Sequence, residues 1–321
     1  MRAMKAKEFQ PLDILVIGAT HERYEQQLAK TGHNFYCVND SIKQWDMSYG
    51  NVPENYNIFN TLPMYVVPDL ILTHLGGSRL QTALAYSQMF SAPVIRHTHT
   101  LPENQDEYKN FNTIRPHIET FISDYSLNAW SPQAESFVIN HGLDTNFWLT
   151  DFERTNKQDN VLSVVNYWQS RDWACGWELY RNVKNSLPDI KFKVLGKNPG
   201  LSKPAESISA LRHELQDCSI FLNTSQHSPI PMSLLEAMAC GCAVVSTNTC
   251  MIPNYVEHNV SGLLANNKEE MVQYVKQLQN DPEERMRLGR NARRVMENKF
   301  NITNFTNRWN GIFKHAISTY K

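Results

Sequence analysis

Residues 218–264 read CSIFLNTSQHSPIPMSLLEAMACGCAVVSTNTCMIPNYVEHNVSGLL. The apolar run Ile220-Phe221-Leu222 predicts a buried strand, and the stretch Asn223 to Ile230 a loop. Pro231 then opens a run of good helix formers, Met232 to Ala239. Proline suits a first helical turn, where its missing N–H would be unpaired anyway. Gly241 stops this helix, and Ala243-Val244-Val245 starts another strand. Strand, loop, helix and strand in this order make a βαβ unit, whose loop opens at the carboxyl end of a parallel sheet. The helix start there offers unpaired N–H groups and partial positive charge to an anion, with phosphate the first candidate.

The rest of the chain repeats this alternation. Asp13 to Gly18 reads as a strand, His21 to Lys30 as a helix ended by Gly32, and Phe35 to Val38 as a second strand. Residues 40–64, rich in Asn, Tyr and Pro, show no clear period and read as irregular loop. Leu70 to Thr73 is a strand, followed by Gly76-Gly77-Ser78 and a helix from Arg79 to Met89. Those glycines could hold an anion or an acceptor, but Ser78 reads more simply as the helix N-cap. Pro93 to Arg96, Thr120 to Ile122 and Phe137 to Ile139 complete a first set of strands. The polar run Asp151 to Asn160 reads as a linker.

A second set begins with Val161 to Val165, a helix from Trp177 to Ser186, and the strand Lys191 to Leu195, which ends at Gly196-Lys197-Asn198-Pro199-Gly200. Helices follow over Ser207–Gln216, Lys268–Asn280 and Glu283–Asn298. The last of these carries five arginines from Arg285 to Arg294 together with the acids Glu283, Glu284 and Glu297, which fits a solvated face better than a nucleic-acid footprint. The tail, Ile302 to Thr319, places Phe305, Trp309, Ile312, Phe313 and Ala316 on one helical stripe.

Length and composition narrow the class. A chain of 321 residues can bury two full cores. No stretch approaches the roughly 20 apolar residues that cross a bilayer. The polar start MRAMKAKEFQPLD and its short following strand do not resemble a signal peptide. The six cysteines form no C-x-x-C pair and no metal spacing, and several sit in apolar context, so a reducing, cytoplasmic setting is expected. Residues 1–150 hold ten Lys/Arg against fifteen Asp/Glu, leaving twenty-one against seventeen beyond. An acidic first half argues against a large nucleic-acid footprint there.

LLEAMACGCAVVST and IPNYVEHNVSGLL resemble the donor-binding signature of family 4 glycosyltransferases, retaining enzymes with the GT-B fold. The likeness is strong over 135–300 and thin over 1–134. It implies an α/β protein of two Rossmann-like domains with parallel sheets facing a central cleft: an acceptor-side domain over 1–150, a nucleotide-sugar domain over 151–301, and a last helix, 302–321, crossing back to the first. In the family pattern a second Glu holds the donor ribose, and Glu236 matches it. The first Glu, which touches the transferred sugar, is here Ser228, and the glycine pair after it is Pro229-Ile230-Pro231. The family's diphosphate Arg and Lys fall on Tyr167 and Cys175, leaving Arg171 as the cation of that loop. A guanidinium forks well onto a diphosphate.

By the same resemblance, Gly196 and Lys197 mark the nucleobase-side turn, and Pro231, Met232, Ser233 and Leu234 the amides facing the phosphates. Gly18 is what remains of a glycine-rich phosphate turn. His99, in His97-Thr98-His99-Thr100-Leu101-Pro102, fits the register of a histidine facing the sugar better than His97. Paired histidines could equally be loop hydrogen-bonders or weak metal ligands, but no carboxylate cluster accompanies them, and no metal or cofactor is expected. The implied function is retaining transfer of a hexose or pentose from a nucleotide-diphosphate sugar. The acceptor, a glycan, small molecule, protein or modified nucleic acid, is not legible. Two rivals stand beside it: a nucleotide-sugar-binding protein that has lost transfer, motivated by Ser228, and a transferase acting on a hydroxylated base in DNA.

Overall fold

The structure, a computed structural model, describes residues 9–19, 21–38, 45–74, 76–149 and 158–320. Most of the expected linker, 151–157, lies outside the described residues, as do Thr20 and Leu75. Two all-parallel sheets organise the chain. The first holds β1 (Asp13–Ile17), β2 (Asn34–Val38), β3 (Tyr56–Phe59), β4 (Leu70–Thr73), β5 (Val94–Thr98), β6 (Ile118–Phe121) and β7 (Glu135–Val138), in the order β3-β2-β1-β4-β5-β6-β7. The second holds β8 (Gln158–Val164), β9 (Lys191–Leu195), β10 (Cys218–Asn223), β11 (Ala243–Thr247) and β12 (Leu263–Ala265), in the order β12-β11-β10-β8-β9.

Strands buried on both faces need helices on both, which is why β1, β4, β10 and β11 read as unbroken apolar runs. In the first sheet the connecting helices are α1 (Glu22–Ala29), α2 (Ser78–Phe90), α3 (Gln105–Phe111) and α4 (Asp124–Trp130). In the second they are α5 (Asp172–Cys175), α6 (Trp177–Asn185), α7 (Ile208–Asp217), α8 (Met232–Ala239) and α9 (Lys268–Asn280), followed by α10 (Pro282–Lys299) and α11 (Ile302–Thr319). α11 packs Phe305, Trp309, Phe313 and Ala316 into one core with Ile14, Val16, Leu70 and Leu72 of the first sheet. The chain therefore ends on the sheet with which it begins.

Three local expectations are corrected. Residues 40–64 are not all loop, since Tyr56–Phe59 pairs parallel with β2 from Phe35↔Tyr56 to Val38↔Phe59. This is a four-residue edge strand with Asn57 exposed, too short to show a period. Ser78 is the first residue of α2 and not its cap. Gly77 is the cap, at φ 61°, and the helix has no side-chain cap bond. Pro231 stands one residue earlier than expected, as the N-cap of α8 with ψ 132°, so Met232 is the first helical residue.

The order of each sheet says where a ligand goes. Neighbouring connections run to opposite sides where strand order reverses, and the loops there splay apart at the carboxyl ends. In the second sheet this happens between β8 and β10. The loop after β8 carries Arg171, and the loop after β10 carries Ser228 and the start of α8. In the first sheet it happens between β1 and β4, where α1 begins.

Candidate active site

These loop ends face one another across a cleft. One cavity is lined from the second sheet's side by Asn166 and Arg171, Gly196, Ser228, and Pro231-Met232-Ser233, and from the first sheet's side by His21, Arg23 and Tyr49. A second cavity adjoins it and shares Arg23, Tyr49 and Ile208. It adds Glu236, Lys30, Asp144 and the aromatic wall of Phe147 and Trp148.

Each wall is held by backbone-directed bonds. Asn198, 2% exposed, accepts from Trp168 N–H at 2.7 Å and donates through Nδ2 to Val165 O and Ser202 Oγ, both at 2.8 Å. It thereby ties the loop after β8 to the loop after β9. Gly196 is required between them: at φ 126° a Cβ would stand 1.9 Å from Val165 O. Trp168 is wholly buried and donates Nε1–H to Cys175 O at 2.8 Å, so the short 3₁₀ turn carrying Arg171 rests on a fixed floor. Arg171 itself is exposed on the cavity. Asp172 does not pair with it among the described residues; its Oδ1 accepts from Glu178 N–H at 2.9 Å. Cys175 is a buried thiol whose pKa is raised, chiefly by burial, against an opposing pull from Arg171.

The β10 loop is equally built. Gln226 and His227 both donate their N–H to Ala174 O, at 2.8 and 3.1 Å. Ser225 O accepts from Thr249 Oγ1 at 3.0 Å and also from Thr247 Oγ1. At the helix start, Met232 and Ser233 N–H groups lack intrahelical partners, as first-turn amides do. Leu234 differs. Its N–H donates to Pro231 O at 3.1 Å and its side chain is fully buried, so it turns no group to the cleft.

Glu236, one turn further along α8, is 1% exposed. Its Oε1 is ion-paired with Arg23 Nη1, whose side chain is 11% exposed, while its Oε2 is buried without a partner. Burial pushes this carboxyl's pKa up, and the Arg23 guanidinium pulls it back only in part.

The remaining predicted positions stand apart from these cavities. Gly18 N–H donates to Val38 O at 3.0 Å, and the Arg79 guanidinium lies against the glycine, where a Cβ would meet it at 2.5 Å. The Gly18 amide is therefore not open to a phosphate. Lys197 is exposed, its N–H donating to Asn166 Oδ1 at 2.8 Å and its carbonyl accepting from Tyr167 N–H at 2.9 Å. His97 lies within β5, wholly buried, with Nε2 2.7 Å from the Tyr24 hydroxyl and Nδ1 2.8 Å from Thr120 Oγ1. His99 follows the strand, partly exposed, with Nε2 3.1 Å from His74 Nδ1.

The fold supplies these histidines with a carboxylate that the local sequence lacks, since Glu25 Oε1 lies 3.1 Å from His74 Nε2. His141 joins the cluster, stacked 6.3 Å from His99. Burial first, then the neighbouring imidazoles, hold His97 and His99 well below the ordinary histidine pKa. Among the described residues no group of three or more His, Cys, Asp or Glu is arranged to hold a metal ion. Sequence reasoning missed Arg23, Tyr49 and Asn198. Asn198 left a trace in the Gly-Lys-Asn-Pro-Gly turn, whereas Arg23 and Tyr49 reach the site only through the way the two sheets face each other.

Known proteins similar to this chain in sequence or fold point one way. Residues 178–295 match the family model described as "Glycosyl transferases group 1". An uncharacterized glycosyltransferase of Haemophilus influenzae is 33% identical over 170 residues, 47% of this chain and 48% of that protein. The amylovoran biosynthesis glycosyltransferase AmsK of Erwinia amylovora is 37% identical over 94 residues, 27% of this chain and 22% of its own. This chain thus spans half or less of the length of the curated relatives it matches. Among solved structures, HepE of Anabaena in complex with UDP and glucose superposes with a TM-score of 0.78 at 14% identity, over 94% of this chain and 99% of that one. Sucrose-phosphate synthase of Thermosynechococcus elongatus gives 0.74 at 13%, over 96% and 99%. These likenesses establish the GT-B fold over almost the whole chain and bear out the resemblance to glycosyltransferases.

Proposed function

We propose that this chain transfers a sugar from a nucleotide-diphosphate donor to a hydroxyl acceptor, with retention at the anomeric carbon as the resemblance to family 4 implies. The observation that carries the reading is the meeting of Arg171, Ser228 and the Met232 and Ser233 amides on one cavity, with Glu236 one turn below it. That set answers the two needs of the reaction, a grip on the nucleotide and compensation for charge on the departing diphosphate. Arg171 and the α8 start meet the diphosphate, the turn at Gly196 and Lys197 takes the base, and Glu236 holds the ribose. Ser228 serves the sugar side; His99 lines neither cavity, and its role toward the sugar rests on the resemblance alone. No metal is assigned a role, and no cofactor beyond the sugar nucleotide.

UDP appears with the HepE structure, which makes UDP-sugars the first donors to try. The acceptor docks from the first sheet's side. No helix of the described residues is long and apolar enough to cross a membrane, and a cytoplasmic place of action is part of this proposal.

The test is a panel of nucleotide sugars in a thermal-shift assay, followed by release of nucleoside diphosphate with candidate acceptors. A ligand at 100 times its Kd adds about 2.7 kcal/mol of stability. Stabilisation by none of the panel would end the reading. Binding without release across a broad acceptor panel would favour the binding-only protein that Ser228 motivates.

A further inference from the structure

Arg23 stands where two demands on the nucleotide site compete. It sits in the first turn of α1, on the first sheet's side, and reaches across the cleft to Glu236 on α8. Its guanidinium lies 5.4 Å from the Tyr49 ring centroid. The Tyr49 hydroxyl in turn accepts from Asn166 Nδ2 at 3.2 Å, a second bridge between the two sides. His21 accepts from Arg23 N–H through Nδ1 at 3.3 Å and packs its ring 4.8 Å from Tyr49. This arm is therefore positioned by its neighbours and not by chance.

The ion pair is incomplete on both sides. Arg23 Nε and Glu236 Oε2 are buried and lack hydrogen-bond partners. An unsatisfied buried donor or acceptor is costly, so each atom is poised for something the protein itself does not supply. Vicinal ribose hydroxyls are two donors, which suits a carboxylate with free acceptor capacity. A diphosphate is an anion, which suits a guanidinium. Arg23 lines both cavities, the one with Glu236 and the one with Arg171 and the α8 amides.

Resting on the nucleotide-sugar reading, we infer that Arg23 is the second cation for the donor diphosphate, parked on Glu236 until the donor arrives. The ribose takes the carboxylate, and the guanidinium turns to the phosphates opposite Arg171. This supplies from the facing wall one of the positive charges lost at Tyr167 and Cys175. A bare nucleoside has to displace Arg23 and leaves a buried cation unpaired. Only a ligand with both parts satisfies both residues, so the site discriminates strongly for nucleoside diphosphate over nucleoside. A single residue of the first sheet's side then links donor binding to the way the two walls meet.

The experiment is calorimetry with UDP and uridine, with the ADP/adenosine and GDP/guanosine pairs in the same panel, on the full chain. In Arg23→Gln, diphosphate binding should weaken at least about tenfold while nucleoside binding is unchanged or tighter, so the ratio of the two affinities collapses. Glu236→Gln should do the reverse, weakening the nucleoside and preserving or raising the ratio, because its guanidinium is released. The double variant removes both charges, guards against misfolding from an unpaired buried ion, and should keep the collapsed ratio. A ratio untouched by Arg23→Gln in a protein that binds UDP overturns the hand-over alone. A wild-type chain that binds none of the nucleoside diphosphates overturns the nucleotide-sugar reading, and this inference with it.

Discussion

Trp309, on the last helix, donates its indole N–H to the Tyr24 hydroxyl at 3.2 Å, and both side chains are buried. Tyr24 lies on α1, one residue after Arg23, and its hydroxyl also meets His97. The chain's end thus braces the helix that presents Arg23 to the cleft. Trp309 further packs 5.0 Å from Phe313 and 5.1 Å from His97. Trp309→Ala should cost about 3–5 kcal/mol of stability. Trp309→Phe should cost less and leave the hydroxyl with His97 as its partner. Urea unfolding followed by far-UV circular dichroism reads both, and equal stability of Trp309→Ala and wild type would show that α11 is not part of the core.

Acid should loosen the first sheet's side before it loosens the second. His141 is buried, and burial lowers its pKa from 6.5 to about 4. The unfolded chain takes up this proton near pH 6.5, whereas the folded chain refuses it until about pH 4. Stability is therefore full above the unfolded value and is lost as pH falls through that window, by at most roughly 3 kcal/mol for this group. His97 and His99, shifted in the same direction first by burial and then by neighbouring imidazoles, steepen the loss. His141→Asn should flatten the pH dependence of melting between pH 6.5 and 4. A slope unchanged in this variant would mean the imidazole is solvated and titrates normally.

How much of this could be read beforehand depended on whether the signal was local. The α8 unit was legible to within a residue because strand, proline, helix formers and Gly241 follow one another in sequence. α9 and α11 also match the expected bounds, and in the structure each starts at a side-chain cap, Asn267 and Asn301. The four-residue β3 escaped because its place is set by pairing with β2 and not by its own pattern. Gly18 misled, since a glycine after β1 suits a phosphate turn, yet its N–H is spent on Val38 and Arg79 covers it. Arg23 was illegible in principle, because a charged residue in a helix's first turn looks solvated until the facing domain is placed against it.

Arg171 tests the diphosphate end from the second sheet's side. Its backbone N–H is anchored to Tyr167 O and Trp168 O, both at 3.2 Å, so substitution of the side chain should leave the turn intact. Arg171→Ala should weaken UDP by roughly tenfold to a hundredfold and leave uridine almost unchanged. Arg171→Lys should recover only part of this, because a point charge does not replace a planar fork. Equal weakening of nucleoside and diphosphate would remove Arg171 from phosphate recognition. Turnover should also survive EDTA; complete loss that added magnesium restores would require a metal in the reaction.

Ser228 decides between a working and a decayed site. By the resemblance to family 4, a carboxylate that touches the transferred sugar is expected at this position, and a serine hydroxyl is shorter and uncharged. The loop around it is nonetheless well made: Gln226 and His227 N–H both bond Ala174 O, and His227 Nε2 lies 3.2 Å from Pro102 O across the cleft. Ile230 is 4% exposed and packs into the core beneath α8. A loop freed from function has no physical reason to keep a bridge to the facing wall, so Ser228 is read as fitted to a sugar with fewer or differently placed hydroxyls. Ser228→Ala should then lower turnover or shift sugar preference, with nucleoside diphosphate affinity nearly constant. Ser228→Glu should not improve the enzyme, because a longer charged side chain enters space shaped for a hydroxyl. Steady-state kinetics across a set of UDP-sugars, with UDP affinity measured alongside, separates the cases. Should wild type transfer nothing while Ser228→Glu gains transfer, the site is a decayed one, and the chain binds sugar nucleotides without using them.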